Sequence, residues 1–474
     1  MKNYFLKKAK FLLVLLSILP VIVLFQNCGQ NSFKVKKFSN DLNLLSESPS
    51  EIPRENPPEE IRPPITGSGK IYYVSKSGNN TNGLSEATAF QTIQKASAIA
   101  EAGDTVVVLA GIYKEEIHTT NDGNAKERIR FVSMPRWAAK IAPIKGSSAF
   151  WTNDGAYVDI EGFTFDGKLG GEIPLFRVRA IQSNGNASRI MYNNIRLYRA
   201  CTSALFYRTG VGIGVGAYES NYNTEIFGNI IRNTRVVGCS LPPRIDEDSN
   251  GTYHFDEAGG YGMYLSTPKT KAYNNIIYGF RIGIHLWHNP TENIVSHNLI
   301  FDNGNFREGY RGIGIVFGCG DKPFTTCRDI IIANNIIMSN KTTFATREMG
   351  KNVEGTNRVI NNIVYNNKRT ADDDDNTGNA IVTGPGDNIV PMVEGVSGNS
   401  YADPKLVNFQ PNGTGNYRLL AGSPAISKAS TIGAVIRDIN QSLRPTAKDI
   451  GPYQYGVTGA FPVDVSTANL YLAN

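Results

Sequence analysis

The triplet Asn-Asn-Ile occurs four times, at 193–195, 274–276, 334–336 and 361–363, each time beside a short β-branched run. Two relatives lie between them, Gly228-Asn229-Ile230 and His297-Asn298-Leu299-Ile300. A turn that returns an Asn to the same place coil after coil lets each side-chain amide bond the next, in a ladder beside a strand stack. Recurrence of this kind signals a solenoid, whose rungs bury their apolar faces only against one another. The second Asn of each triplet and its two relatives give ladder positions 194, 229, 275, 298, 335 and 362. The shortest spacing, 23 residues between Asn275 and Asn298, is about one β-coil, and longer spacings imply loops thrown out of one face.

The N-terminus reads as an export signal. Lys2, Lys7, Lys8 and Lys10 precede an apolar run over 11–25, interrupted by Ser17 and Pro20, too short for a comfortable membrane span. The run ends at Cys28-Gly29, which resembles a bacterial lipoprotein cleavage site with Cys28 as the lipidated residue. That resemblance implies an envelope protein held by an N-terminal lipid, and Gly29, in place of a retaining aspartate, implies the outer membrane. Residues 28–69 are rich in Pro, Ser and Glu and poor in apolar groups, so they read as a tether reaching on the order of 35 Å.

Loss of residues 1–27 lowers the net charge from +6 to +2. A near-neutral body argues against nucleic acid as a partner and offers polyanions no bulk attraction. Of the cysteines beyond Cys28, Cys319 and Cys327 bracket a seven-residue loop that a disulfide would clip, and Cys201 and Cys239 lie further apart.

Residues 71–83 (IYYVSKSGNNTNG), 89–96 (AFQTIQKA) and 103–113 (GDTVVVLAGIY) resemble the opening of right-handed parallel β-helix proteins of the pectate-lyase-like superfamily. Within them, Ile93, Ala96 and Ile99 recur at helical spacing, as a short helix covering the open end of the core would require. Residues 157–167 (YVDIEGFTFDG) read as two strands about a tight turn. The stretches 403–406 (DPKL), 423–426 (SPAI) and 449–453 (DIGPY) resemble the closing segment of such proteins. The expected fold is therefore all-β: a right-handed parallel β-helix over 70–400 with a capping helix and long turn loops, a closing segment over 401–456 and a tail over 457–474. The superfamily contains lyases, glycosidases, esterases, tailspikes and adhesins, so the fold alone gives no activity.

The Asn ladder is read as the turn between the second and third strands of each coil. The first-strand sheet then contains 212–217, 262–267, 283–288 and 312–318. Alternation turns Ile213, Val215, Met263, Leu265, Ile284, Leu286, Ile313 and Ile315 inward. It turns Gly214 and Gly216, Tyr264 and Ser266, His285 and Trp287, and Gly314 and Val316 outward. Coils about 4.8 Å apart set Tyr264 beside His285 and Ser266 beside Trp287, with glycines leaving a groove for a chain-like ligand. Trp287 can supply a platform for a sugar ring, and imidazole and phenol groups can move a proton.

For an acidic polysaccharide, β-elimination needs the uronate carboxylate neutralised, the C5 proton removed and the leaving oxygen protonated. His285 is the expected base and Tyr264 the acid or alternative base, with His288 and His254 as further contacts. Arg307 or Arg311 would neutralise the carboxylate, or a Ca2+ ion held by Asp246, Asp248, Asp256 and Glu257 would do so. Those acids with Glu247 could instead form the carboxylate pair of a glycosidase. A non-catalytic glycan-binding or structural envelope protein, monomeric in either case, is the further alternative. Asp372, Asp373, Asp374 and Asp375 read as a solvated turn, as do Lys269 and Lys271. Neither the Arg-x-Pro-x-x-Arg pattern of pectate lyases nor the Asn-Thr-Asp, Asp-Asp and Gly-His-Gly set of polygalacturonases is found.

Overall fold

The computed structural model describes residues 69–144, 146–170, 178–198, 210–216, 222–234, 260–304, 312–317, 326–340, 342–346, 352–353, 357–367, 381–383, 398–457, 463 and 465–472. The signal, the tether and Cys28 lie outside them. The described chain is a right-handed parallel β-helix. Its first sheet has nine strands, from Ile117–Thr119 through Val211–Val215, Tyr261–Leu265, Ile282–Leu286 and Ile313–Phe317 to Ile381–Thr383. Strand Thr342–Thr346 fills the coil after Ile313–Phe317, in a region where the sequence offers no clean first strand. The second and third stacks run in register beside it, and the long bent strands Thr105–Lys114 and Ile129–Ala142 join them into one continuous sheet.

The Asn-Asn-Ile repeat performs two separate tasks. Asn274, Asn334 and Asn361 take left-handed backbone angles (φ 54, 61 and 50°), as do Tyr192, Gly228 and His297 in the corresponding places. Asn tolerates that conformation better than most residues with a side chain. The residue that follows is the ladder member. Asn275 Nδ2 donates to Asn298 Oδ1 (3.0 Å), Asn298 to Asn335 (3.0 Å), Asn335 to Asn362 (3.0 Å) and Asn362 to Asn399 (3.2 Å). At the other end Asn193, not Asn194, donates to Asn229, which donates to Asn275. Tyr192 takes the left-handed place there, so the triplet is shifted by one and Asn194 becomes the first residue of strand Asn194–Tyr198. A second ladder, Asn303–Asn340–Asn367, turns the next corner.

The third strands are apolar on both faces. Ile231, Ile277, Ile300, Ile337 and Val364 enter the solenoid core, while Ile230, Ile276, Leu299, Ile336 and Ile363 face outward. A strand buried on both faces reads as a continuous apolar run, which is why the Ile-Ile and Leu-Ile pairs do not alternate with polar residues. The cover is the C-terminal segment, which lies along the third sheet and carries Leu406, Tyr417, Ile439, Ile450, Tyr453 and Val463 into the contact. The left-handed asparagines fasten it. Asn361 donates to Lys428 O, Asn334 to Ser430 O and Asn274 to Arg437 O. Val463 and residues 465–472, left as a tail by the sequence, continue this layer: Ala468 O accepts from Asn194, and Tyr471 meets Trp137 edge-on at 5.9 Å.

At the N-terminal end the helix Ile93–Ser97 is capped by Thr92 and buries Ile93 and Ala96. Ile99 is exposed, contrary to the helical spacing, because the helix stops at Ser97; Ala100 takes the inward place instead.

Two stability outcomes follow. Asn298→Ala leaves the Asn275 N–H without its acceptor and removes the bonds of the Asn298 amide to Asn275 Nδ2, Asn335 Oδ1 and Ala272 O, so denaturant unfolding should show a loss of about 2–4 kcal/mol. Arg232 is fully buried and among the described residues engages only through Nη2, to Asn194, while Arg196 already holds Asp166 through two bonds. Burial of this uncompensated charge pulls its guanidinium below the ordinary range, and Arg232→Met should raise the unfolding midpoint.

Candidate functional site

Strand register sets Gly214, Tyr264, His285 and Val316 side by side on the first sheet. The alternation behind that expectation is broken at one point per coil. A Cβ built on Gly262 would stand 2.4 Å from Ile277 Cγ2 and 2.5 Å from Gly283 O, so this position faces the core, as Gly212 and Gly283 do. Met263 after it is also inside, so two successive positions point inward, possible only because the first has no side chain. The residue before the glycine is thereby returned to the outer face. Ile313, expected inward, accordingly packs outside with Ile282, Val316 and Tyr261.

The same device brings Tyr261, which the sequence reading missed, to the cluster: its ring lies 5.4 Å from Tyr264 and 5.1 Å from His285. Tyr264 meets His285 edge-on at 5.0 Å. His288, in a left-handed turn (φ 62°), turns back toward the preceding coil, where its Nε2 lies 2.9 Å from the Tyr264 hydroxyl. The tautomer sets the direction: where Nε2 carries no proton, the imidazole accepts and the phenol donates. Trp287 lies 5.5 Å from His285 and keeps 9% of its surface, so it walls the cluster rather than standing as an open platform. Ser266 does not stand free beside it: it is buried, and its hydroxyl donates to Val215 O at 2.7 Å.

His285 is half-buried, with an enclosed Nδ1 that has no hydrogen-bond partner among the described residues. Burial, then the positive charge of Arg281, then His288 push its pKa down to about 3. Arg281 is a buried cation beside the cluster that the sequence reading also missed; it precedes strand Ile282–Leu286 without any motif to mark it.

His254, Arg307, Arg311, Asp246, Asp248, Asp256, Glu257 and Cys319 lie outside the described residues, as does the side chain of Cys327. The expected calcium set and disulfide therefore remain expectations. Among the described residues no three or more His, Cys, Asp or Glu side chains converge on a metal position. Lys269 and Lys271 are solvated, 3.8 Å from Glu292 and 3.4 Å from Glu225.

No family model matches the sequence. The uncharacterized protein YwoF of Bacillus subtilis (strain 168) is 24% identical over 330 residues, 58% of this chain and 70% of that protein. Among solved structures, pectate lyase Pel9A superposes over 81% of this chain and 96% of its own, with a TM-score of 0.50 and 14% identity. A complex of XylC with xylose covers 82% of this chain and 99% of its own, at a TM-score of 0.38 and 11% identity. The Pel9A likeness establishes the pectate-lyase-like parallel β-helix as the fold.

His285 gives the fold a distinct acid response. In the unfolded chain it gains a proton below about pH 6.5, whereas in the folded chain it stays neutral down to about 3. Stability is therefore lost as pH falls through 6.5, by up to about 1.4 kcal/mol per pH unit from this residue. His285→Phe should flatten the decline between pH 6.5 and 4 in urea titrations, whereas the unchanged wild-type slope would show that the ring is not buried neutral.

Proposed function

We propose that the protein acts on an acidic polysaccharide laid along the first sheet, cleaving it by β-elimination. The observation that carries this reading is the 2.9 Å contact between the Tyr264 hydroxyl and His288 Nε2 on the outer face of a β-helix sheet. An acceptor imidazole on a phenol is a route to a phenolate base. The fold shared with a pectate lyase adds support at the level of architecture, and tryptophan and tyrosine walls suit sugar rings.

In this scheme Tyr264 gives its proton to His288 and takes the C5 proton of the uronate. The C5 electron pair forms the C4–C5 double bond, the C4–O bond breaks, and the leaving oxygen receives the proton held by Tyr264. His288 then returns its proton to Tyr264. Arg281, buried beside the cluster, supplies positive charge for the carboxylate, in the role expected of Arg307 or Arg311. His285, expected as the base, is a poor choice on its own pKa: a group near 3 has little driving force to remove a carbon-bound proton. It serves better as a neutral wall that adds no charge beside Tyr264.

That weak basicity also favours the second reading, a non-catalytic glycan binder using the same face. The glycosidase alternative rests on Asp246, Glu247, Asp248, Asp256 and Glu257. Placement in the envelope through a lipid on Cys28 belongs to the same proposal and is supported by the N-terminal sequence.

Pectins, alginates and glycosaminoglycans offered to the protein should yield, from one class, an unsaturated product absorbing near the ultraviolet edge. Tyr264→Phe should lower its rate about 10²- to 10⁴-fold. No product from the whole panel, or full activity in Tyr264→Phe, would sink the lyase mechanism, and glycan retention without product would establish the binder.

A further inference from the structure

The left-handed turn row that fastens the C-terminal layer runs Tyr192, Gly228, Asn274, His297, Asn334 and Asn361. His297 alone among them is an imidazole, the side chain that ordinarily titrates near neutral pH. Its ring is fully buried under the layer, and two contacts fix its state. Gly451 O, 3.3 Å from Nδ1, can only accept, so Nδ1 carries the proton. Nε2 faces Asn334 Nδ2 at 3.3 Å. That amide cannot turn over: its Oδ1 accepts from Ser430 N at 2.7 Å, and its Nδ2 also points at Ser430 O and Ile432 O. Nε2 is therefore the acceptor, and the closed layer holds a neutral ring.

Positive charge stands beside it. Arg444, buried in the layer, donates through Nη2 to Gly451 O at 2.8 Å, the same oxygen that His297 uses, and to Pro452 O and Asn274 Oδ1. Lys448 adds to that field. The layer's carboxylates are engaged elsewhere: Asp438 accepts from the N–H groups of Asn440, Ser442 and Gln454, and Asp449 from those of Ser427 and Tyr455. On the solenoid side the ring's neighbours in the turn row, Asn274 and Asn334, are uncharged, as is strand Ile294–Ser296 before it. A proton added at Nε2 would face the Asn334 amide hydrogens and place a second cation beside Arg444. Burial, then Arg444, accordingly hold the ring well below the ordinary imidazole range.

We propose that His297 makes the C-terminal layer an acid-sensitive clasp, in which proton uptake frees residues 425–454 from the third sheet. Asn274, Asn334 and Asn361 show that an uncharged amide suffices to fasten the layer, so the imidazole adds a response to pH rather than strength. In the open form the ring meets water and takes a proton below about pH 6.5; in the closed form it stays neutral. Each pH unit below 6.5 therefore favours the open form by up to about tenfold. Asp438 opposes this at the acid end, because burial raises its pKa and it gains a proton sooner in the closed layer than in the open one. The window for release thus lies between pH 6.5 and about 5. Opening bares the outer residues Ile276, Leu299 and Ile336 of the third sheet.

The test is hydrogen exchange of the full chain, read by mass spectrometry at pH 7 and pH 5 and corrected for intrinsic exchange rates. Peptides over 427–454, which hold the N–H groups of Ser430, Ile450 and Gly451, should exchange about 10- to 25-fold faster at pH 5. Peptides over Thr105–Lys114, which report opening of the whole fold, should change less. His297→Asn restores the residue found at the neighbouring fastening positions and accepts the left-handed angle, so it should keep the layer and abolish its acceleration. Equal acceleration in His297→Asn, or none in wild type, would overturn the clasp. If His297→Asn fails to fold, nitrogen-15 NMR of the wild-type histidines decides. His297 should remain neutral with its proton on Nδ1 at pH 5.5 in the closed protein, and a ring that titrates there would overturn the proposal.

Discussion

A side-chain amide that bonds the amide one coil above and the backbone one coil below sets the geometry of this protein. Each ladder Asn accepts the N–H of its predecessor and donates both to its successor and to a carbonyl of the neighbouring coil. The turn is thereby satisfied without water, although it is fully buried. With this corner fixed, the residues on either side are committed to the second and third sheets. The first sheet inherits its register from the same constraint, and Tyr264 meets His285 rather than a neighbour one position away.

The three faces of the solenoid have different fates. The third sheet is apolar outside and is covered by the C-terminal layer, which the left-handed asparagines hold in place. The second sheet presents paired charges, such as Arg128 with Asp159 and Arg130 with Glu161. The first sheet is different: its outer row contains an enclosed amide oxygen, a phenol bonded to imidazole and a half-buried histidine held neutral. Such groups are expensive to keep for stability alone, which is the physical reason for locating function there.

Much of the fold was legible because the ladder must repeat. Asn229, Asn275, Asn298, Asn335 and Asn362 could be picked out by eye, and from them the first-sheet strands followed. Asn193 escaped because Tyr192 can occupy the left-handed turn, which moves the triplet by one. Asn399 escaped because its preceding residue is Gly398 and no Asn-Ile pair marks it. The neighbours Tyr264 and His285 were legible from period-two alternation. Tyr261 was not, since the inward glycine doubles the inside positions and defeats that rule. His288 was visible as a residue but its partner was not, because only the turn's positive φ returns the ring to the coil before. The cover over the third sheet was hidden too: the C-terminal motifs suggest closure of an end, whereas the apolar outer residues Ile276, Leu299 and Ile336 decide where that segment lies.

The chain contains three tryptophans, of which Trp137 (2% exposed) is buried under the C-terminal layer and Trp151 (0%) in the solenoid interior. Trp287 alone borders the Tyr264 cluster. Indole N–H resonances followed by NMR during titration with uronate hexamers therefore give the most direct view of whether the first sheet is the ligand face. The account predicts that the Trp287 signal moves while those of Trp137 and Trp151 stay fixed. Movement of either buried indole with Trp287 unchanged would contradict it.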